Sequence, residues 1–334
     1  MNNEMINVKE RIDTMETMIN GGKKESSAVD KLKAAEYGGA FWNHMHTGEI
    51  VNELKAGSDG SGRYLIPPTY EKELVKKLEN ENFVRKLGTV ISTEHDMRIP
   101  VSLTEAEGGW VEEGGDISSM DAEFGQVKLG AHKLEVAFLI SDELLEDSGV
   151  DLEEYTMEVF SEVIGASEEE AFLVGDGNGK PTGLIYQAED GVTTERVGEI
   201  SMDDMVDLIH SVKPPYRKKS VFVMSEDAYT KLRKIKCYDG RPVWEPSFTE
   251  GEPEKLFGYD VYVSSYMPTA EEGNKPVLFG NFEYYWIGDR GKRRVKRLAE
   301  RFADCGMVGF MALQRMDATL VLPEAVKSLT VKSK

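Results

Sequence analysis

The sequence has few cysteines, a shortage of basic residues and no long apolar run. Cys237 and Cys305 are the only cysteines in 334 residues. They stand far apart, which excludes a disulfide framework and a zinc knuckle built on C-x-x-C. No stretch approaches the roughly 18 apolar residues of a membrane-spanning helix. The first residues also lack the basic and then apolar order of a signal peptide. We therefore expect a soluble intracellular protein.

The charge balance disfavours polyanionic partners. There are 40 Lys and Arg against 60 Asp and Glu, which gives a formal net charge of −20. Binding to nucleic acid or to an anionic membrane depends on basic side chains that neutralise phosphates. The hydrophobic content of 40 % is enough for a sizeable core. At roughly 150 residues per domain, the length predicts about two domains or one elaborated domain.

None of the glycine or histidine motifs predicts a catalytic, cofactor or metal site. The glycine-rich run from Gly175 to Gly183 lacks the spacing of a P-loop or a dinucleotide-binding motif. It follows a predicted helix, so we interpret it as a helix stop and turn. His44 and His46 have no neighbouring ligands at metal-site spacing. We expect no catalytic residues, no cofactor and no metal.

Three predicted helical segments and a glycine-rich linker organise the first half of the chain. Residues 1–36 are predicted to be helical, and Gly57–Gly62 is predicted to be a flexible linker. A helix is expected from Thr69, as its cap, to Leu87. A longer one is expected from Asp151 to Gly175. Its inner face is predicted to carry Leu152, Tyr155, Val159, Val163 and Ile164.

Residues 95–133 predict a long two-stranded excursion. Seven acidic residues lie between Glu105 and Glu123, with no basic residue among them. Apolar residues alternate on both sides of His132, but with opposite phase. Such a change predicts a β-bulge or a strand that changes its neighbour. Arms of about 15 residues would extend some 50 Å, at roughly 3.3 Å per residue. An acidic excursion of this kind has little core of its own and needs another surface to lie against.

A basic segment runs from Arg290 to Arg301. It could contact phosphates, or it could be a solvated strand face. It could also complement the acidic excursion of a neighbouring copy of the chain. Alternating short helices and strands predict an α/β part over 183–276, and strands predominate from 277 to 322.

Several segments, taken in order, resemble the major capsid proteins of tailed phages, which have the Hong Kong 97-type coat fold. The resemblance covers about residues 37–330. Its segments are Tyr37-Gly-Gly-Ala-Phe-Trp, Gly109-Trp-Val-Glu-Glu-Gly-Gly-Asp-Ile with Phe124-Gly-Gln-Val, Ile140-Ser-Asp-Glu-Leu-Leu-Glu-Asp-Ser, Glu169-Glu-Ala through Gly175-Asp-Gly, Leu278-Phe-Gly-Asn-Phe, Arg290-Gly and Arg315-Met-Asp-Ala.

The resemblance implies an α+β capsid fold. This fold has an N-terminal arm, an extended β-hairpin loop, a long spine helix with a peripheral-domain sheet, and an α/β axial domain. The expected parts are a helical, possibly scaffold-like segment (1–56), the arm and first helix (57–94), the extended loop (95–133), the peripheral domain (134–182 and 277–322, with the spine helix at 151–175) and the axial domain (183–276 and 323–334).

The resemblance also implies a structural role. The chain would assemble with itself into hexamers and pentamers of an icosahedral shell. The shell would form in the bacterial host cytoplasm and enclose DNA without specific binding. Portal, scaffold and maturation protease are possible further partners, and no membrane is involved. An encapsulin-like compartment around a protein cargo is the alternative within this fold. An acidic cytosolic hydrolase is the alternative from another class.

The site residues expected from the charge pattern lie at a contact between subunits. Glu112, Glu113 and Asp116 would meet Arg293, Arg294 and Arg297 of a neighbouring copy, and Trp110 would anchor the loop. Exposed ion pairs contribute only about 0–1 kcal/mol each, so together they would set register more than affinity.

The sequence also predicts that no covalent cross-link joins the subunits. Some relatives join a loop Lys to an Asn of a neighbouring peripheral domain. This chain has no Lys between Arg98 and Lys128, and no Asn after Asn281. Assembled particles boiled in denaturant should therefore give a single band of monomer size on a gel. A ladder of covalent oligomers would contradict the prediction.

Overall fold

The computed structural model describes residues 36–58, 62–102, 124–146, 152–244 and 254–334. The helix expected over most of residues 1–36 lies outside this range, as does much of the Gly57–Gly62 linker. Among the described residues, no helix is both long and apolar enough to cross a membrane.

The α-helices of the described residues follow most of the predicted helical segments. In chain order they are α1 (36–47), α2 (Pro68–Glu81), α3 (Phe83–Leu87), α4 (Asp142–Glu146), α5 (Leu152–Val174), α6 (Leu184–Gln187), α7 (Met202–Ser211), α8 (Pro214–Arg217) and α9 (Glu226–Arg233).

The strands fall into sheets that are described below. In chain order they are β1 (Tyr64–Leu65), β2 (Thr89–Thr93), β3 (Met97–Ser102), β4 (Phe124–Leu129), β5 (His132–Ser141), β6 (Glu189–Val197), β7 (Val221–Ser225), β8 (Lys255–Leu256), β9 (Tyr259–Ser264), β10 (Val277–Gly280), β11 (Tyr285–Arg290), β12 (Arg294–Leu298), β13 (Met307–Leu320) and β14 (Val326–Lys332).

Two compact units share the chain. The first contains the described residues up to Val75, together with those of Ala137–Glu158 and Arg293–Ala312. The second contains the described residues of Lys76–Val136, Val159–Lys292 and Leu313–Lys334. In the first unit β1 pairs antiparallel with β12. In the second, β11 pairs antiparallel with the last part of β13 and parallel with β2.

The second unit contains a mixed α/β sheet with the order β6-β14-β10-β7-β9-β8. Its central strands are buried on both faces. On β7, Phe222 and Met224 join one core cluster with helices α7 and α9, while Val223 joins another with the end of α5. Two-sided burial requires apolar residues at successive positions, which is the pattern that the Val221-Phe-Val-Met run displays.

One strand lies elsewhere than the resemblance implied. Val277–Gly280 was expected with the strands of the peripheral domain. It pairs instead with β7 on one side and β14 on the other. All four of its residues are buried, because it is a central strand of the α/β sheet. The wider division into peripheral and axial domains stays a prediction.

The base of the predicted excursion is a two-stranded antiparallel ribbon. β3 and β4 pair from Met97 opposite Leu129 to Ser102 opposite Phe124. After Gly130 and Ala131 the chain continues as β5, which pairs with β13 instead. The change of phase near His132 therefore marks a strand that changes its neighbour. Residues 103–123 lie outside the described residues.

Two helix predictions need correction. The helix expected from Thr69 to Leu87 begins at Pro68 and is divided by Asn82, whose side chain accepts hydrogen bonds from the amides of Val84 and Arg85 and so caps α3.

The spine helix has the predicted length, but its buried face differs from the predicted one. Tyr155 and Val163 are 41 % and 40 % exposed. Along one face of α5, the buried positions Met157, Phe160, Ile164, Glu168 and Phe172 recur at spacings of three or four residues.

Candidate functional site

The acidic side of the expected subunit contact lies outside the described residues. Trp110, Glu112, Glu113 and Asp116 all belong to 103–123. Their pairing with the basic segment therefore stays a prediction. The structure does describe the strand pair β3–β4, which precedes and follows this segment. It also describes the basic residues that are predicted to contact the segment of a neighbouring copy.

The base of the excursion is fixed by polar contacts. Nη2 of Arg290, on β11, donates to Oδ1 of Asp96 at 2.8 Å and to the carbonyl of Gly130 at 3.0 Å. The amide of Gly130 donates to Asp317 on β13 at 2.6 Å. Hydrogen bonds from Arg290 and Lys128 hold the pKa of Asp96 below its usual value. Both ends of the ribbon are therefore tied to the sheet at its root.

Arg293 is engaged within its own subunit. Its Nη1 donates to Oε1 of Glu71 at 2.6 Å, and only 7 % of its side chain is exposed. Its carbonyl accepts a hydrogen bond from the amide of Ile66. The guanidinium therefore holds the first turn of α2 beside the strand pair β1–β12.

Arg297 also contacts its own chain. Its Nε donates to the carbonyl of Met45 in α1 at 3.1 Å. Burial lowers the pKa of Arg297, although the charge of Asp142 opposes this shift. The side chain lies close under Gly48, where a Cβ would stand 2.9 Å from Nη1. Gly48 has a φ of +83°, so both the backbone angle and the space favour glycine there.

Arg294 and Lys296 share the opposite face of β12 from Val295 and Arg297, because successive side chains of a strand alternate. Val295 is 3 % exposed, while Arg294 and Lys296 are both partly exposed. The three arginines predicted to act together therefore have three different settings. They do not present one continuous basic face.

A cavity of about 560 Å³ lies beside β12 in the first unit. Apolar and aromatic side chains, including Ile50, Tyr64 and Leu298, form part of its wall. Lys296, Arg297 and Arg301 contribute three cations and Glu300 one anion. Ile50 is 62 % exposed. The cavity therefore combines apolar walls with a basic rim.

A buried ion cluster stands at the centre of the second unit. Arg85 is 3 % exposed and Glu168 fully buried. Nε of Arg85 donates to Oε2 of Glu168, and Nη2 donates to Oε1 at 2.8 Å. The same guanidinium meets both oxygens of Asp289, at 2.8 and 3.0 Å. Gln314 donates to Glu168 at 2.6 Å. These contacts join α3, α5, β11 and β13.

The two carboxylates keep this arginine charged. Burial alone would lower the pKa of Arg85, but the charges of Glu168 and Asp289 and their hydrogen bonds raise it above its ordinary value. A buried guanidinium needs such partners, because an unpaired charge in the protein interior is costly.

Glu169, the next residue on α5, has a different environment. It is 9 % exposed, and its Oε1 accepts a hydrogen bond of 2.6 Å from the hydroxyl of Ser264. Burial raises its pKa, and the Ser264 hydrogen bond only partly offsets this. Glu170, which follows, is exposed. Three consecutive glutamates thus occupy an ion cluster, a buried hydrogen-bonded site and solvent.

The remaining motif residues have structural settings. The run from Gly175 to Gly183 closes on itself, with an Asp176–Thr182 bridge and a 2.8 Å hydrogen bond from the amide of Gly183 to the carbonyl of Gly175. The predicted helix stop and turn is confirmed. The ring of His44 packs against Tyr64 at 4.7 Å, and its Nδ1 lies 3.0 Å from the carbonyl of Glu49.

Comparison with known proteins decides the family. The sequence profile of the phage capsid family matches residues 62–331. The chain belongs to the phage capsid family. A related sequence is the major capsid protein of Klebsiella oxytoca phage phiKO2, which is 26 % identical over 251 residues, or 71 % of this chain and 58 % of that protein. The chain spans less than two thirds of the length of the curated relatives it matches.

Solved structures with the same fold include phage capsid chains. The capsid of a native GTA particle, computed with C5 symmetry, matches with a TM-score of 0.65 and 28 % identity, over 75 % of this chain and 90 % of that chain. A chain of Microbacterium phage Oxtober96 matches with a TM-score of 0.56 and 16 % identity, over 75 % and 91 % of the two chains, and shows the fold alone. The predicted capsid fold of α+β class is confirmed.

In this phage capsid family member, the basic segment is evident from the sequence, whereas the ion cluster is not. In a chain with 60 acidic residues, three consecutive glutamates carry almost no information. The spacing of Glu168 from Phe160, Ile164 and Phe172 was the available signal. A charged residue in register with an apolar helix face is buried, and so requires a partner.

We expect Glu168→Gln to destabilise the subunit by about 3 kcal/mol, because it removes a charge from a buried ion cluster. Glu170→Gln, two positions along α5, is the matched control and should change the free energy of unfolding by less than about 0.5 kcal/mol. Urea unfolding of the unassembled subunit measures both values. Equal effects of the two substitutions would contradict the importance of the cluster.

Glu169 should make stability depend on pH in the opposite direction from a paired carboxylate. Its pKa in the folded chain is above the ordinary value of 4.5. Between pH 4.5 and this raised pKa, the folded state therefore binds a proton that the unfolded state has released. Stability contributed by this group therefore falls as pH rises through that window. Glu169→Gln should remove this fall and leave the subunit at least as stable as the wild type at neutral pH. Unfolding curves recorded at a series of pH values would show it, and a variant less stable at neutral pH than at pH 4 would contradict the assignment.

Proposed function

We propose that this chain is the major capsid protein of a tailed bacteriophage or prophage. Many copies would assemble into the hexamers and pentamers of an icosahedral shell, inside the host cell, and remain in the virion. The observation that carries the proposal is the family match over residues 62–331. The likeness to 90 % of a GTA capsid chain supports it.

The charge distribution suits a shell that encloses DNA without binding it specifically. The net charge is −20. Several basic side chains on which a phosphate contact would depend are engaged within the subunit, namely Arg85 with Glu168, Arg290 with Asp96 and Arg293 with Glu71. An acidic surface repels the nucleic acid backbone, which keeps packaging and release reversible.

Electron microscopy of the purified full-length chain, at concentrations spanning the micromolar range, tests the proposal. Closed shells of uniform diameter, pelleting together in the ultracentrifuge, are expected. A chain that stays monomeric throughout, with or without crowding agents, would overturn it. Shells found around a protein cargo in the native host would favour a nanocompartment instead.

For the subunit contact, we infer that the acidic excursion of one copy meets β12 and the adjoining cavity of the next. The cavity's basic rim complements the acids Glu112, Glu113 and Asp116. Its apolar wall provides a site for Trp110. Lys296 lines this cavity, and Arg294 lies on the same face of β12, so both lie beside the proposed contact.

Charge reversal tests this contact. The triple variant E112K/E113K/D116K should fold normally but assemble poorly, because it places like charges against the basic rim. The triple variant D207K/E271K/E272K, at exposed acids elsewhere, makes the same change in net charge and is the control. Adding R294E and K296E to the first triple variant should restore part of the assembly. Pelleting assays with circular dichroism on the supernatant measure both properties, and normal shells from the first triple variant would refute the pairing.

A further inference from the structure

A two-residue turn at the edge of the α/β sheet has an unusual sequence. β8 and β9 pair with Lys255 opposite Asp260 and Leu256 opposite Tyr259. Phe257 and Gly258 alone therefore connect the strands. Their φ angles are +52° and +86°, as in the type I′ hairpin turn, which needs left-handed backbone at both positions.

The first of these positions is a poor one for phenylalanine. Among the described residues, Phe257 alone combines a side chain with a positive φ. A left-handed backbone crowds Cβ against the following carbonyl, which is why Asn-Gly is the preferred sequence of this turn. Strain of this kind persists where something else depends on the side chain.

The subunit buries only about half of this residue. Phe257 is 49 % exposed, and among the described residues no ring contact involves it. The hairpin is anchored by its neighbours. Leu256 is 3 % exposed, and the ring of Tyr259 packs edge-on against Phe222 and Phe279. The subunit therefore carries the strain of Phe257 while leaving about half of that residue exposed.

Four charged side chains near the turn are paired within the subunit. Nζ of Lys255 lies 3.8 Å from Asp260 across the hairpin, and Arg233 meets Glu254 at 2.7 Å. Two copies of a chain of net charge −20 repel each other, so a contact between copies is favoured where the charges already have partners.

The turn also lies at the edge of the α/β sheet, where no described strand pairs with the outer side of β8. β8 is the last strand of the sheet order in the described residues and is two residues long. Val243, which is 44 % exposed, precedes Trp244, and the Trp244 indole donates to the carbonyl of Lys255 at 2.9 Å. Exposed apolar side chains thus gather at this end of the sheet.

We propose that Phe257 is an interface anchor, and that its ring is buried against a second copy of this chain when subunits assemble. The inference rests on the proposed shell function and identifies a contact of that shell. An aromatic side chain presented on a tight turn loses little conformational freedom on binding, which suits it to anchor an interface.

Two substitutions separate the backbone from the ring. Phe257→Asn creates Asn-Gly, which relieves the turn and removes the aromatic ring. It should raise the urea midpoint of the unassembled subunit, and it should raise the protein concentration required for assembly at least about tenfold. Phe257→Leu keeps an apolar side chain under the same backbone strain. It should leave the urea midpoint unchanged and keep the assembly threshold within about threefold of wild type.

Pelleting across a dilution series gives the threshold, and urea unfolding below that threshold gives subunit stability. A stabilised Phe257→Asn subunit that assembles at the wild-type threshold would overturn the proposal. So would a Phe257→Asn subunit that is destabilised, since the ring would then serve the fold. The wild-type chain is measured in parallel. If it forms no particles, the proposed shell function fails, whereas normal wild-type shells with an unaffected variant refute only the anchor.

Discussion

The ion cluster of Arg85 with Glu168 and Asp289 is the constraint on which the second unit depends. Each of its members comes from a different element, so α3, α5 and β11 must all be in place before all three charges are satisfied. Gln314 adds β13 through the same carboxylate. Apolar packing tolerates small shifts at modest cost, but a guanidinium bonded to two carboxylates accepts only a narrow range of geometries. The cluster therefore contributes more to a unique arrangement of these elements than to total stability.

A shell of identical subunits needs such uniqueness, because an error in one subunit is repeated at every contact it makes. In the second unit, the buried charges lie where α5 packs against the strands β11 and β13, and the strained residue Phe257 lies at an edge of the α/β sheet. Arg290 ties the root of the excursion to the sheet, through Asp96 and Gly130. The contact proposed at Phe257 lies instead in the turn that follows an edge strand of two residues.

The sequence predicted the fold where a local pattern had a single structural meaning. The glycine-rich run from Gly175 to Gly183 indicated a helix stop and turn, which the structure contains. The change of phase near His132 indicated a bulge or a change of strand partner, and the structure has the second. Prediction failed at one local signal and at one set of long-range contacts. Asn82 divides a continuous helical pattern because its side chain caps α3 through the amides two and three residues ahead. Val277–Gly280 joins β7 and β14 through pairings between residues 46 to 59 positions apart, which no local pattern encodes.

The candidate site was also predictable only in part. Its basic residues are evident from the sequence, but the contacts that each of them makes are not. The basic segment was visible in the sequence as one cluster, yet its members serve different purposes: Arg290 holds the excursion, Arg293 holds α2, and Arg297 holds α1. A sum over residues does not reveal this, because the Coulomb energy of a charge depends on its neighbours within a few ångströms and on their burial. These three arginines are therefore engaged within the subunit. Because the chain as a whole is acidic, we expect the proposed contacts between copies to lie where charges are complementary or already paired.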